Sequence, residues 1–90
     1  MRITKSPLKT KKWRAIFEDG DHTDFGDPMY ESYVEHHDVE RRRRYKIRHE
    51  KDLDSRNPKS AGFLSYFLLW GDSTSLDENI KAYKRKFGNL

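Results

Sequence analysis

Residues 61–70, Ala-Gly-Phe-Leu-Ser-Tyr-Phe-Leu-Leu-Trp, form an apolar run with no equal elsewhere in a 90-residue chain that is 38% charged and 33% hydrophobic. With so little apolar material outside it, the chain must fold against that run. A membrane-spanning helix needs ~20 apolar residues, so this run reads as a buried element of a globular domain. Periodicity cannot type so short a run, but its flanks favour a helix. Asn57-Pro58 is a start signal, because proline fits a first turn whose N–H would be unpaired anyway. Gly71 stands where a left-handed C-terminal cap would fall. The expectation is a helix over 58–70, apolar nearly all round and mostly buried.

The remaining elements are read from shorter patterns. Trp13, Ala15 and Phe17 alternate with Arg14, Ile16 and Glu18, as in a half-buried strand. Asp19-Gly20 is a hairpin turn signal, which predicts a β-hairpin of residues 12–18 and 22–26. Gly26-Asp27-Pro28 ends it, with Asp27 and Pro28 as N-cap and first helical residue of a short helix to His36. Asp38 is placed to cap a second helix running to about His49, and residues 50–57 read as a polar linker. Ser75 with Glu78 is a capping-box signature. Leu76, Ile80, Tyr83 and Phe87 then form a helical stripe, closed by Gly88. Leu64, Phe67 and Leu68 are expected at the centre of the core, with Trp13, Phe17, Ile80, Tyr83 and Phe87 around them. The fold class is therefore α+β: one small domain, residues 12–90, with an N-terminal β-hairpin packed on three or four short helices. Residues 1–11 have no apolar period and read as a basic arm.

Charge is segmented along the chain. Six Lys/Arg and no acid lie between Met1 and Arg14, nine Asp/Glu and no Lys/Arg between Ala15 and Glu40, and six bases between Arg41 and Arg48. Such segmentation suits oriented docking on a charged partner; the alternative is that the blocks neutralise each other within the fold. The candidate partner- or phosphate-binding residues are Arg2, Lys5, Lys9, Lys11 and Lys12 of the arm, with Arg41, Arg42, Arg43, Arg44, Lys46 and Arg48. Guanidinium forks suit phosphate and carboxylate alike. Four successive helical residues point around the whole circumference, so only two or three of Arg41–Arg44 can face one surface. Any nucleic-acid contact would go to phosphates, without base readout.

Catalytic and metal signatures are missing. The chain has no cysteine, which removes thiolate nucleophiles, thiolate metal sites and disulfides. His36 and His37 are adjacent and point apart on a helix, and no His-x₃-His pair exists. The glycines are isolated, so no phosphate-cradling loop is formed. The expectations are no enzymatic activity, no cofactor, no metal, no small-molecule substrate and no membrane span. Tyr66 and Trp70, four apart, are read as core.

Several phrases, taken together, resemble a known group. His37-Asp38-Val39-Glu40-Arg41-Arg42 with Arg43, Tyr45, Arg48 and His49 is one. Asn57-Pro58-Lys59-Ser60-Ala61-Gly62-Phe63-Leu64-Ser65 with Leu68-Leu69-Trp70 is another. Leu76, Ile80 and Tyr83-Lys84-Arg85-Lys86-Phe87, and Phe25-Gly26 after the hairpin, also fit. Over about residues 11–90 the chain resembles a family of small proteins of large nucleocytoplasmic double-stranded DNA viruses of algae and amoebae. The resemblance implies a virion location and a structural role as a minor capsid (cement) protein. Capsid proteins would then be its partners, through the basic arm and charged faces. The alternative is nonspecific nucleic-acid binding through the arginine-rich helix. If the arm acts only at a partner surface, removing residues 1–10 should leave domain melting unchanged.

Overall fold

A computed structural model describes all residues from Met1 to Leu90. Three short strands, β1 (Arg2–Lys5), β2 (Trp13–Ile16) and β3 (His22–Phe25), form an antiparallel sheet in the order β1-β2-β3. Four helices follow: α1 (Tyr33–His36), α2 (Val39–His49), α3 (Ala61–Leu64) and α4 (Leu76–Phe87). A 3₁₀ segment, Glu50–Ser55, extends α2, and a wide π turn, Ser65–Leu69, continues α3. The α+β class read from the sequence is the class observed. No helix is long and apolar enough to cross a membrane.

The hairpin forms where Asp19-Gly20 places it. Phe17 N donates to Asp21 O at 2.8 Å, and Gly20 has the positive φ of 93° that a side chain would resist. The predicted alternation on β2 holds, with Ala15 and Phe17 buried. The expected arm is corrected. Residues 2–5 pair with β2, Ile3 opposite Ala15 and Lys5 opposite Trp13. Met1 is buried at 8% exposure and Ile3 packs against the core. Two apolar residues at strand spacing, each flanked by a base, are a weak pattern in sequence. What orders them is an unpaired β2 edge and an apolar face that needs cover. The domain therefore spans residues 1–90 and not 12–90.

The apolar run folds as a helix, but its ends differ from expectation. Asn57-Pro58 stays in a turn, and Ser60 is the N-cap, its side chain accepting from Phe63 N. From Ser65 the helix widens into the π turn, with Trp70 N donating to Ser65 O at 3.1 Å. Gly71 is not a left-handed cap. It is glycine because a Cβ would collide with the Phe67 carbonyl and the Asn79 side chain. Leu64, Leu68 and Leu69 are fully buried, and with Ala15, Phe17, Phe25 and Tyr83 they make the core. Phe67, expected inside, is only partly buried; it lies at the margin against Phe63, Tyr83 and Phe87.

The helix expected over Pro28–His36 is confined to Tyr33–His36. Asp27 Oδ1 accepts from Met29 N at 2.8 Å, closing a turn instead of capping a helix. The cap is Ser32, whose N–H and Oγ–H both donate to Glu35 Oε1. Asp38 caps α2 as read, accepting from Glu40 N and Arg41 N. Ser75 caps α4, and its buried face includes a polar residue, Asn79, beside Tyr83.

Three carboxyls are held below the usual Asp range: Asp19 by a hydrogen bond from Lys59, Asp24 by hydrogen bonding to Arg14, and Asp38 by the Arg41 and Glu40 backbone N–H groups. Their folded pKa values lie below the unfolded value near ~3.9. The stabilisation is thus complete above that pH and is lost as pH falls through the folded values. Melting temperature should be flat near neutrality and fall on acidification below about pH 4. Asp24→Asn should flatten part of that fall in a melting series from neutral to strongly acidic pH.

Candidate functional site

The arginine run is divided by the geometry of α2 into three faces. Residues 42, 45, 46 and 49 turn toward the domain. Arg42 Nε donates to Gly71 O at 2.7 Å and its Nη2 to Asp72 at 2.7 Å, while Lys46 Nζ donates to Trp70 O at 3.3 Å. These carbonyls belong to the frayed end of the π turn, where a helix leaves acceptors unpaired and a cation is favoured. Arg42 and Lys46 therefore cap the central helix. Burial, with Arg42 nearby, lowers the Lys46 pKa. Tyr45 stacks on Trp70 with ring centroids 4.1 Å apart and planes 4° apart, and His49 stacks on the other face of Tyr45 at 4.1 Å. Burial, with Asp52 adding, pushes the Tyr45 hydroxyl up to about 12.

The second face carries Arg41, Arg44 and Arg48, at i, i+3 and i+7. All three are exposed, and none forms an ion pair. They line one side of a cleft of about 730 Å³. Lys11 and Lys12, just before the start of β2, line the same cleft, and Ala61, Gly62 and Ser65 form part of its wall. Lys12 is committed elsewhere, to Glu35 and the Tyr30 carbonyl. Carboxylates are present too: Asp27, bound to Met29 N, Asp52, 2.9 Å from His49 Nδ1, and Glu31.

The third face holds Val39, Arg43 and Ile47 at i, i+4 and i+8. Val39 is 62% and Ile47 61% exposed, and Arg43 pairs only with Glu40 of its own helix. Nothing in α2 is fully buried.

The structure thus brings Lys11, Lys12, Arg41, Arg44 and Arg48 together. It places Arg42 and Lys46 under the domain and Arg43 on the opposite side. Arg2, Lys5 and Lys9 are exposed along β1 and the turn after it, outside the cleft. The acidic block is not the partner of the arginine run as a whole. Asp19, Asp24 and Glu35 are taken by Lys59, Arg14 and Lys12, and Arg42 uses Asp72. Sequence reasoning missed the cleft floor and the His49–Tyr45–Trp70 stack. The i, i+4 spacing of Tyr45 and His49 was the available signal; the pairing with Trp70 is tertiary.

No curated protein and no solved structure matches this chain. A family model does, over residues 1–49. That span takes in the sheet with its β1 strand, α1 and α2 to its last residue, and so both basic walls of the cleft, while α3 and α4 lie beyond it. Covering more than half of the 90 residues, the match places the chain in the family described as a family of unknown function (DUF5754).

Proposed function

We propose that this protein is a non-enzymatic structural component of a large DNA virus particle, a minor capsid protein that docks on a capsid protein through the outer face of α2. One observation carries the reading: an eleven-residue helix with no buried residue displays Val39 and Ile47 on either side of Arg43. Leaving two large apolar side chains of one face in water has a cost that a partner groove removes. Spacing of i, i+4 and i+8 is that of a helix laid into a groove. The arginine between the two apolar residues selects a groove with a carboxylate at its middle. The resemblance of the sequence phrases to proteins of large DNA viruses supplies the setting.

The test uses Val39→Asp and Ile47→Asp together. Surface substitutions away from packed contacts change stability by no more than ~0.5 kcal/mol, so melting should be nearly unchanged. Recovery of the protein in purified particles should fall at least about tenfold, since two anchors of ~1 kcal/mol or more each are lost. If the unaltered protein is missing from purified particles, or the double variant is incorporated normally, the reading fails.

A further inference from the structure

The cleft on the other side of α2 is not used by that docking surface, and its chemistry is different. Arg41, Arg44 and Arg48 occupy one helix face without ion-pair partners, and the first and last are ~10 Å apart along the axis at 1.5 Å per residue. That span exceeds one phosphate and suits two or more in succession. Lys11, just before β2, lines the same cleft. The volume, about 730 Å³, falls in the range of small-ligand sites, ~300–1,000 Å³, and is too small to admit a duplex. Against the cleft ends the aromatic stack Trp70–Tyr45–His49. Both faces of Tyr45 are covered, but no second ring covers His49, which itself lines the cleft.

We infer that the cleft binds a nucleotide unit, either free or within a single strand of nucleic acid. The phosphates lie on the Arg41, Arg44 and Arg48 guanidinium groups, and the base continues the stack on His49. Forked guanidinium groups meet phosphate oxygens in pairs, and base–aromatic stacking tolerates any base because each has a π face. An acidic peptide would satisfy the arginines but has no flat ring for His49. The carboxylates Glu31, Asp27 and Asp52 also line the cleft, Asp52 beside His49 with its Oδ2 2.9 Å from His49 Nδ1, so the anionic end of the ligand lies on Arg41, Arg44 and Arg48.

Binding of the full-length protein to four probes would be measured by titration: ATP, a single-stranded oligothymidylate, inorganic tripolyphosphate and polyglutamate. ATP and the oligonucleotide distinguish the free nucleotide from the strand, and saturable binding of either supports the site. The triple variant Arg41→Ala, Arg44→Ala, Arg48→Ala should weaken both at least about tenfold and flatten the salt dependence. Arg85→Ala, an exposed α4 arginine without an ion pair, should change binding less than about twofold. His49→Ala should weaken ATP or oligonucleotide about tenfold while leaving tripolyphosphate unchanged, and His49→Phe should restore the loss. The inference is overturned if neither nucleotide probe binds, if polyglutamate binds as well as they do, or if Arg85→Ala costs as much as the triple variant. It is also overturned if His49→Ala affects tripolyphosphate and nucleotides equally.

Discussion

Deleting residues 1–5 should lower the melting temperature by ~12–24 °C, the opposite of what a free basic arm would give. The deletion removes β1 and with it the ladder that pairs Arg2 with Ile16 and Lys5 with Trp13. The remaining two-stranded hairpin is an element of marginal stability. Met1 leaves the core, and the partly buried Ile3 leaves its margin. Full burial of one such side chain stabilises by ~1.5–3 kcal/mol, so a loss of ~3 kcal/mol is a conservative sum for the two and their strand. At ~4–8 °C per kcal/mol for a domain of this size, that gives the stated fall. The backbone nitrogen of Met1 also donates to Asn89 O, and Glu18 N to Leu90 O at 2.7 Å, so the first strand and the chain end are held at the same edge. Charge is not the cause: Arg2→Ser with Lys5→Ser should melt within a few degrees of the parent, at ~0.5 kcal/mol or less for exposed positions. If thermal melting of the truncated protein matches that of the intact one, β1 is dispensable and the three-stranded sheet is not the stable unit.

Asn79→Ala should cost ~3 kcal/mol or more, although the residue is polar and only partly visible in the helical pattern of α4. Asn79 is 3% exposed. Its Nδ2 donates to Leu68 O at 2.9 Å and to Ser73 O at 2.8 Å, and its Oδ1 accepts from Ser73 N at 3.0 Å. The π turn leaves the Leu68 carbonyl without a backbone donor suited to it, and the amide supplies one. Alanine would strand these groups, each at ~1–3 kcal/mol where water cannot replace the lost partner. The closely packed Gly71 bend would lose its support as well, since Asn79 is one of the groups that leave no room for a Cβ there. Asn79→Asp keeps an acceptor for Ser73 N but turns a carboxylate on two carbonyl oxygens, so it should not rescue. Denaturant unfolding of both variants checks this; a midpoint within error of the parent for Asn79→Ala would show that the bend is held by packing alone.

The cores of the elements were legible because they rest on local chemistry. The Asp19-Gly20 turn, the Asp38 and Ser75 caps and the stripe of Leu76, Ile80, Tyr83 and Phe87 each involve residues within a few positions of one another. The boundary errors share one physical form. Pro28 and Pro58 satisfy the requirement for a first helical turn, yet Ser32 and Ser60 accept the helix starts, because the intervening residues are spent in turns closed by Asp27 and Asn57 side chains. The π turn, too, has no local cause in the sequence; it arises where Asn79, Lys46 and Arg42 arrive from other elements to take the carbonyls of Leu68, Trp70 and Gly71.

The candidate site divides the same way. Sequence alone established that a helix starting at Asp38 would carry six bases, that they could not share one surface, and that the apolar run from Ala61 to Trp70 would be the core against which the domain folds. Those statements need only the helical repeat and the hydrophobic effect. Which bases are free was decided by tertiary structure. The packing of α2 across the end of the π turn commits Arg42 and Lys46 to carbonyls and places Arg41, Arg44 and Arg48 over a cleft. The pairing of β1 with β2 converts a basic terminus into the edge of a sheet. Both outcomes depend on contacts between separate elements, 8 to 14 positions apart for β1 with β2 and 24 to 30 for α2 with the end of the π turn, whose energies come from satisfying buried polar groups and covering apolar faces.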